Sequence, residues 1–271
     1  MNRGPIIRPL TVIALFLVGC GTGRVAVNRS FPVTVARATG ILRYDAKHPR
    51  QLRRPLLIVG GFMDPGWAAP RLAERFRRWT GDERIAAVSL GFDTGWDACR
   101  RDIVAAADVA FPTTDANQTS EVDVIGVSMG GLAARYAALP SPGRRLRIAR
   151  LFTISSPLRG AIFADLPPID LHPLEAGLRT GSWLYRRLDA EPPAADDLYA
   201  VYSYVRLDDG TVGPGNAAVA GTAPWWVPTP RGEFPHDAAY TDARILADIA
   251  CRLRGEPPLS RDPPAPLPER R

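Results

Sequence analysis

Thiols, imidazoles and amines are scarce in this chain. Its 271 residues hold three cysteines, three histidines and one lysine, Lys47. So few thiols exclude a disulfide-stapled scaffold, and spacing leaves open whether Cys99 and Cys251 meet. No His/Cys/Asp cluster has metal-ligand spacing. No phosphate-cradling loop follows a first strand, so neither metal nor nucleotide cofactor is expected. The longest apolar run is too short to span a bilayer stably. Positive charge is therefore almost all arginine. The formal net charge is +6, and removing Arg3 and Arg8 leaves 32 basic against 28 acidic residues. The arginines are spread along the chain, not gathered in a stripe, so a solvated surface is expected and no nucleic-acid partner. Hydrophobic residues make up 46%, enough for one sizeable core, and there is no internal repeat.

What is present begins with the N-terminus. Arg3 and Arg8 precede an apolar run, Leu10 to Val18, which ends in Leu17-Val18-Gly19-Cys20. A charged start, a short apolar stretch and a small residue before the cut mark an export signal. The ending resembles the bacterial lipobox. That resemblance implies removal of residues 1–19, acylation of Cys20, and a membrane partner reached through the lipid anchor. Gly21 in place of Asp implies a destination other than the inner membrane, at the outer membrane or periplasmic face. Residues 20–32 then serve as a tether.

Residues 33–254 alternate apolar strand-like runs with helix-like stripes. Phe31 to Tyr44 shows partial alternation and is read as one or two edge strands. Pro55 to Phe62 is a continuous apolar run closed by glycines, the mark of a central parallel strand. A helix follows over Pro70 to Trp79, then a strand over Ile85 to Leu90 and a helix over Trp96 to Phe111. Further strands are expected at Leu146 to Ser155 and Leu198 to Tyr204, with a last helix from Asp242 to Leu253. The alternation predicts an α/β domain with a mostly parallel sheet covered on both faces. Gly160 to Pro193, broken by prolines, is expected to cap the site. The Pro-rich tail 255–271 is read as disordered.

The chemistry sits in Glu121 to Pro140, EVDVIGVSMGGLAARYAALP. Apolar Val122, Val124 and Ile125 lead through Gly126-Val127-Ser128-Met129-Gly130 into a helix. Strand, tight turn and helix are the setting in which G-x-S-x-G lifts a serine hydroxyl above a sheet edge. Gly126 and Gly130 lack side chains because the turn is crowded; both are expected to press against Ser128. The Met129 N–H falls at a helix N-terminus, where an anion is favoured.

A serine nucleophile needs a base, and the base an orienting acid. Of His48, His172 and His236, only His236 lies after the last expected strand and before the last helix. Asp208 and Asp209 follow the preceding strand, with Asp209 preferred because Asp-Gly makes a tight turn. Asp165, Asp170, Asp196 and Asp197 are weaker candidates. A second oxyanion donor is expected in the loop Gly60 to Asp64, at Phe62 or next at Met63.

Together these residues resemble the α/β-hydrolase superfamily of lipase/esterase type. Gly126 to Ala134 resembles its G-H-S-M-G-G elbow, with Val127 at the His position. Ser155 to Gly160 resembles the S/T-P-H-x-G loop, with Leu158 in place of His. Asp209-Gly210-Thr211-Val212 resembles the D-G-x-V acid turn. The resemblance implies Ser128, His236 and Asp209 as catalytic residues, Met129 and Phe62 as oxyanion donors, and an ester or lipid substrate. An acyltransferase, a thioesterase or a non-catalytic binding lipoprotein would share these motifs. Oligomeric state is not encoded in them.

Overall fold

The structure is a computed structural model that describes residues 27–268, apart from 63, 65, 92, 167–173, 191–197 and 231. Cys20 and the signal and anchor segment before residue 27 lie outside the described residues. So do Met63, Asp170, His172, Asp196 and Asp197.

Six short strands form one sheet, and every paired neighbour among them runs parallel. They are β1 (Leu56–Val59), β2 (Ile85–Val88), β3 (Val122–Val127), β4 (Ile148–Ile154), β5 (Ala200–Arg206) and β6 (Trp225–Val227), in spatial order β2-β1-β3-β4-β5-β6. Parallel strands need crossovers, and helices lie in four of the five: α2 (Ala68–Thr80), α3 (Trp96–Ala110), α4 (Met129–Ala138), and α5 (Glu175–Leu178) with α6 (Trp183–Ala190); α1 (Val35–Lys47) precedes β1, and α7 (Pro235–Ala239) and α8 (Ala243–Arg254) follow β6.

Successive strand side chains point to opposite faces, so each strand feeds two cores. Leu57, Val59, Val122, Val124 and Leu151 meet α3 and α4 on one face. Leu56, Ile58, Ile125, Phe152 and Ile154 meet α1, α2 and α8 on the other. β1 and β3 are buried throughout, which explains their unbroken apolar sequence. Cys99 and Cys251 are both buried and unpaired; their helices α3 and α8 cover opposite faces of the sheet.

Two expectations need correction. Phe31 to Tyr44 does not form edge strands; most of it lies in α1. Thr34 accepts the Arg37 N–H at 3.2 Å and starts the helix, while Ala38 and Leu42, four apart, turn inward. The alternation of Val33 and Val35 ends where that cap begins. The tail is not disordered over its described part, which straps the β6 edge. The Trp225 and Trp226 indole N–H groups donate to the Arg261 and Ala265 carbonyls, each at 3.2 Å. Buried Asp248 accepts the Leu259 and Ser260 N–H groups at 2.6 and 2.7 Å. Residues 167–173 and 191–193 of the expected cap lie outside the described residues, and the described parts of 160–193 are not among the residues lining the Ser128 cleft. Leu174, Leu178, Leu184 and Leu188 join the α3–α4 core.

Candidate active site

The sheet order turns back between β1 and β3, and ligands in such sheets bind outside the strand ends at that point. The carboxyl end of β1 delivers Gly60, Gly61 and Phe62, and the carboxyl end of β3 delivers Ser128.

Ser128 has φ 51° and ψ −128°, a region that side chains other than glycine's rarely occupy. Its neighbours hold it there: the Ser128 N–H donates to the Ile154 carbonyl at 2.9 Å, and its own carbonyl accepts the Gly131 N–H at 3.2 Å. The glycines serve a different purpose from the one expected. A side chain at Gly130 would collide with the Val59 and Gly60 carbonyls, and one at Gly126 with the Gly131 backbone. A side chain at Gly131 would collide with Ser156. The glycines thus let α4 sit directly on β1, β3 and the loop after β4; it is Gly61 that faces Ser128 itself, where an added Cβ would lie 3.0 Å from the Ser128 Cβ. Gly130→Ala is therefore expected to cost about 3 kcal/mol or more of unfolding free energy, measured by denaturant titration, because backbone and not a pliable side chain blocks it. Gly210→Ala, in open space, should stay within about 0.5 kcal/mol of the parent.

His236 is the second residue of α7 and is buried. Its Nε2 lies 3.0 Å from Ser128 Oγ, and its Nδ1 lies 3.0 and 3.2 Å from the two Asp209 carboxylate oxygens. The three groups, separated by up to 108 residues in sequence, form one continuous row. With the Nδ1 proton directed at Asp209, Nε2 accepts the Ser128 hydroxyl proton. Asp208, next in sequence, is exposed.

Asp209 is almost wholly buried. Burial alone would raise its carboxyl pKa, but the His236 hydrogen bond and charge, the Val212 N–H and the Ser155 hydroxyl together lower it. The Thr211 and Val212 N–H groups donate to one carboxylate oxygen at 3.0 and 3.1 Å, closing the Asp-Gly turn. In sequence Ser155 stands only as the first residue of the loop that resembles S/T-P-H-x-G. Among the described residues it is the other non-glycine residue with positive φ, at 50°, and it is fully buried at the end of β4 beside β3. The signal that could have revealed it is its position one strand over from Ser128, with Ile154 paired to Val127.

Met129 is buried and opens α4, so its N–H falls among the first-turn donors that have no intrahelical acceptor. Phe62 is half-buried and lines the cleft. The loop carrying it is tied down by Asp64, which accepts N–H groups from Gly66, Trp67, Ala68 and Ala69 at 2.9–3.2 Å. Burial pushes the Asp64 carboxyl up, and these four backbone donors pull it below its ordinary value. His48 caps α1 instead, its Nδ1 3.1 Å from the Tyr44 carbonyl. Asp165 accepts from Thr180. Neither reaches the row.

The cleft above Ser128 has a volume of about 400 Å³. Phe62, Trp67, Leu72 and Val127 give it apolar walls; Asp237, Tyr240 and two arginines of α2 give it polar ones. Among the described residues no group of three or more His, Cys, Asp or Glu side chains could hold a metal, and no helix is long and apolar enough to cross a membrane.

A parallel sheet in this order, a strained serine after β3, an acid after β5 and an imidazole after β6 define the α/β-hydrolase fold. No family model matches the chain, and neither does any curated protein. Among solved structures it is similar to the lipase BlEst2 of Bacillus licheniformis in its mature form. That likeness has 16% identity and a TM-score of 0.49, over 79% of this chain and 95% of that one. It is also similar to the phospholipase PlaB of Legionella pneumophila, with 13% identity and a TM-score of 0.46, over 60% of this chain and 45% of that one.

Proposed function

We propose that this chain is a serine hydrolase of carboxylic esters. The observation that carries the reading is the row Ser128–His236–Asp209 at hydrogen-bond distances, opening into a partly apolar cleft. As Ser128 Oγ attacks an ester carbonyl, His236 Nε2 takes its proton. Asp209 fixes the imidazole tautomer and balances the charge that develops on it. The Met129 and Phe62 N–H groups serve as donors to the oxyanion. His236 then protonates the leaving alcohol, and a water activated the same way releases the acyl group from Ser128.

The deciding experiment is labelling with a fluorophosphonate probe, read by mass spectrometry. Modification of Ser128 supports the reading. A folded protein that hydrolyses no ester and leaves Ser128 unmodified is a binding module.

The same proposal extends to location. Residues 17–20 support an exported chain anchored in the cell envelope through acylated Cys20. Cys20→Ser is expected to abolish incorporation of labelled palmitate; a labelled band of unchanged intensity would remove the anchor.

A further inference from the structure

The cleft wall formed by α2 carries two positive charges. Arg71 and Arg75, one helical turn apart, both line the space above Ser128. α2 turns Leu72, Ala73 and Phe76 into the core, which leaves these two guanidinium groups on its cleft-side flank. The Arg71 guanidinium carbon lies 5.8 Å from the centre of the Trp67 ring, itself 63% exposed at the rim. A ring in this position steadies the cation without neutralising it.

Neither arginine has an ion pair among the described residues. Glu74, the acidic residue of α2, lies 3.8 Å from Arg77, and Arg77 also donates to the Ile85 carbonyl away from the cleft. The two cleft carboxylates are otherwise engaged. Buried Asp64 is held by the start of α2 and the Ser89 hydroxyl. Asp237, on α7, accepts the Tyr240 hydroxyl at 2.9 Å. Like charges four residues apart on a helix repel, and a bound anion would relieve that repulsion. Each guanidinium also offers a planar fork of donors that matches a phosphate or carboxylate.

We infer that the ester taken by this site carries an anionic group (phosphate, sulfate or carboxylate) next to its apolar part, and that Arg71 and Arg75 bind it. The inference rests on the hydrolase reading and names its substrate class.

Two p-nitrophenyl esters of equal chain length, one ending in a methyl and one in a carboxylate, form the soluble arm of the test. Vesicles of phosphatidylglycerol against phosphatidylcholine form the second. The native enzyme is expected to favour the anionic member about tenfold in kcat/KM, chiefly through KM, and the preference should shrink as salt is raised. Preference in the soluble arm points to a free anionic ester, and in the vesicle arm to a lipid headgroup. The Arg71→Gln/Arg75→Gln double variant should bring the ratio near one, and the Arg71→Lys/Arg75→Lys double variant should restore part of it. Arg78→Gln, an equal charge change on the same helix outside the cleft, should keep the preference.

Equal turnover in both arms, a preference that survives the double glutamine change, or an equal loss in Arg78→Gln would each overturn the inference. In those cases hydrolysis through Ser128 would still stand. No turnover of any ester would remove the hydrolase reading and the inference together.

Discussion

Ser128→Ala is expected to lower kcat for p-nitrophenyl esters by roughly four to six orders of magnitude while leaving the thermal midpoint within a few degrees of the parent. The large loss follows from the arrangement of groups. His236 Nε2 addresses a single hydroxyl, Ser128 Oγ at 3.0 Å, and with that oxygen gone there is nothing to acylate. The small effect on folding follows from what holds the turn. The hydrogen bonds to Ile154 and Gly131 use the Ser128 backbone, and the close fit of α4 is set by Gly126, Gly130 and Gly131. Alanine keeps those contacts and the same strained φ. Undiminished turnover in this variant would mean that some other group performs the chemistry. A collapse of the midpoint would mean that the hydroxyl itself supports the elbow.

Asp209→Asn is expected to reduce kcat by about 10⁴-fold, against less than about twofold for Asp208→Asn. An amide can present its NH₂ to Nδ1, which then accepts instead of donating. The ring proton is forced to Nε2, and the base for Ser128 is lost. The site adds a second difficulty. One Asp209 oxygen accepts the Thr211 and Val212 N–H groups, so only the other position is free for an amide nitrogen, and that position faces His236. The wrong tautomer is thus favoured by the turn as well as by chemistry. The pH dependence also has a defined sign. Because the Asp209 carboxyl lies below its ordinary value, its contribution to stability is complete above about pH 4, the usual aspartate range, and fades as pH falls through the lower folded value. Asp209→Asn should therefore flatten the acid limb of the stability curve. An acid limb unchanged by the substitution would show that this carboxylate does not carry it.

The elbow was legible because three local signals coincide there: a β-branched run, paired glycines and a helix stopped by Pro140. His236 was legible from scarcity and chain order, since two other histidines fall elsewhere. Asp209 was separable from Asp208 by its place beside Gly210, and the two differ in the structure as buried against exposed. Other parts could not be read locally. β6 has only three residues, too few for any period to register. α1 was obscured because Val33 and Val35 alternate just before Thr34 caps a helix. The tail reads as disordered by composition, yet what orders it is indole-to-carbonyl bonding, and backbone carbonyls leave no mark in sequence. The reach of Arg71 and Arg75 into the cleft was hidden for a similar reason. An arginine-rich helix reads as a solvated face until the packing shows which side looks inward.

The strap over β6 has one more result. The Ser30 hydroxyl accepts the Ala265 N–H at 2.8 Å, and the Ser30 carbonyl accepts the Arg261 N–H at 2.7 Å. The two ends of the described residues are thus fastened side by side, more than two hundred residues apart in sequence. A few glycines could splice the two ends into a continuous loop, and fresh termini could then be opened at an exposed bend such as Pro142-Gly143, giving a rearranged gene whose product keeps the same architecture.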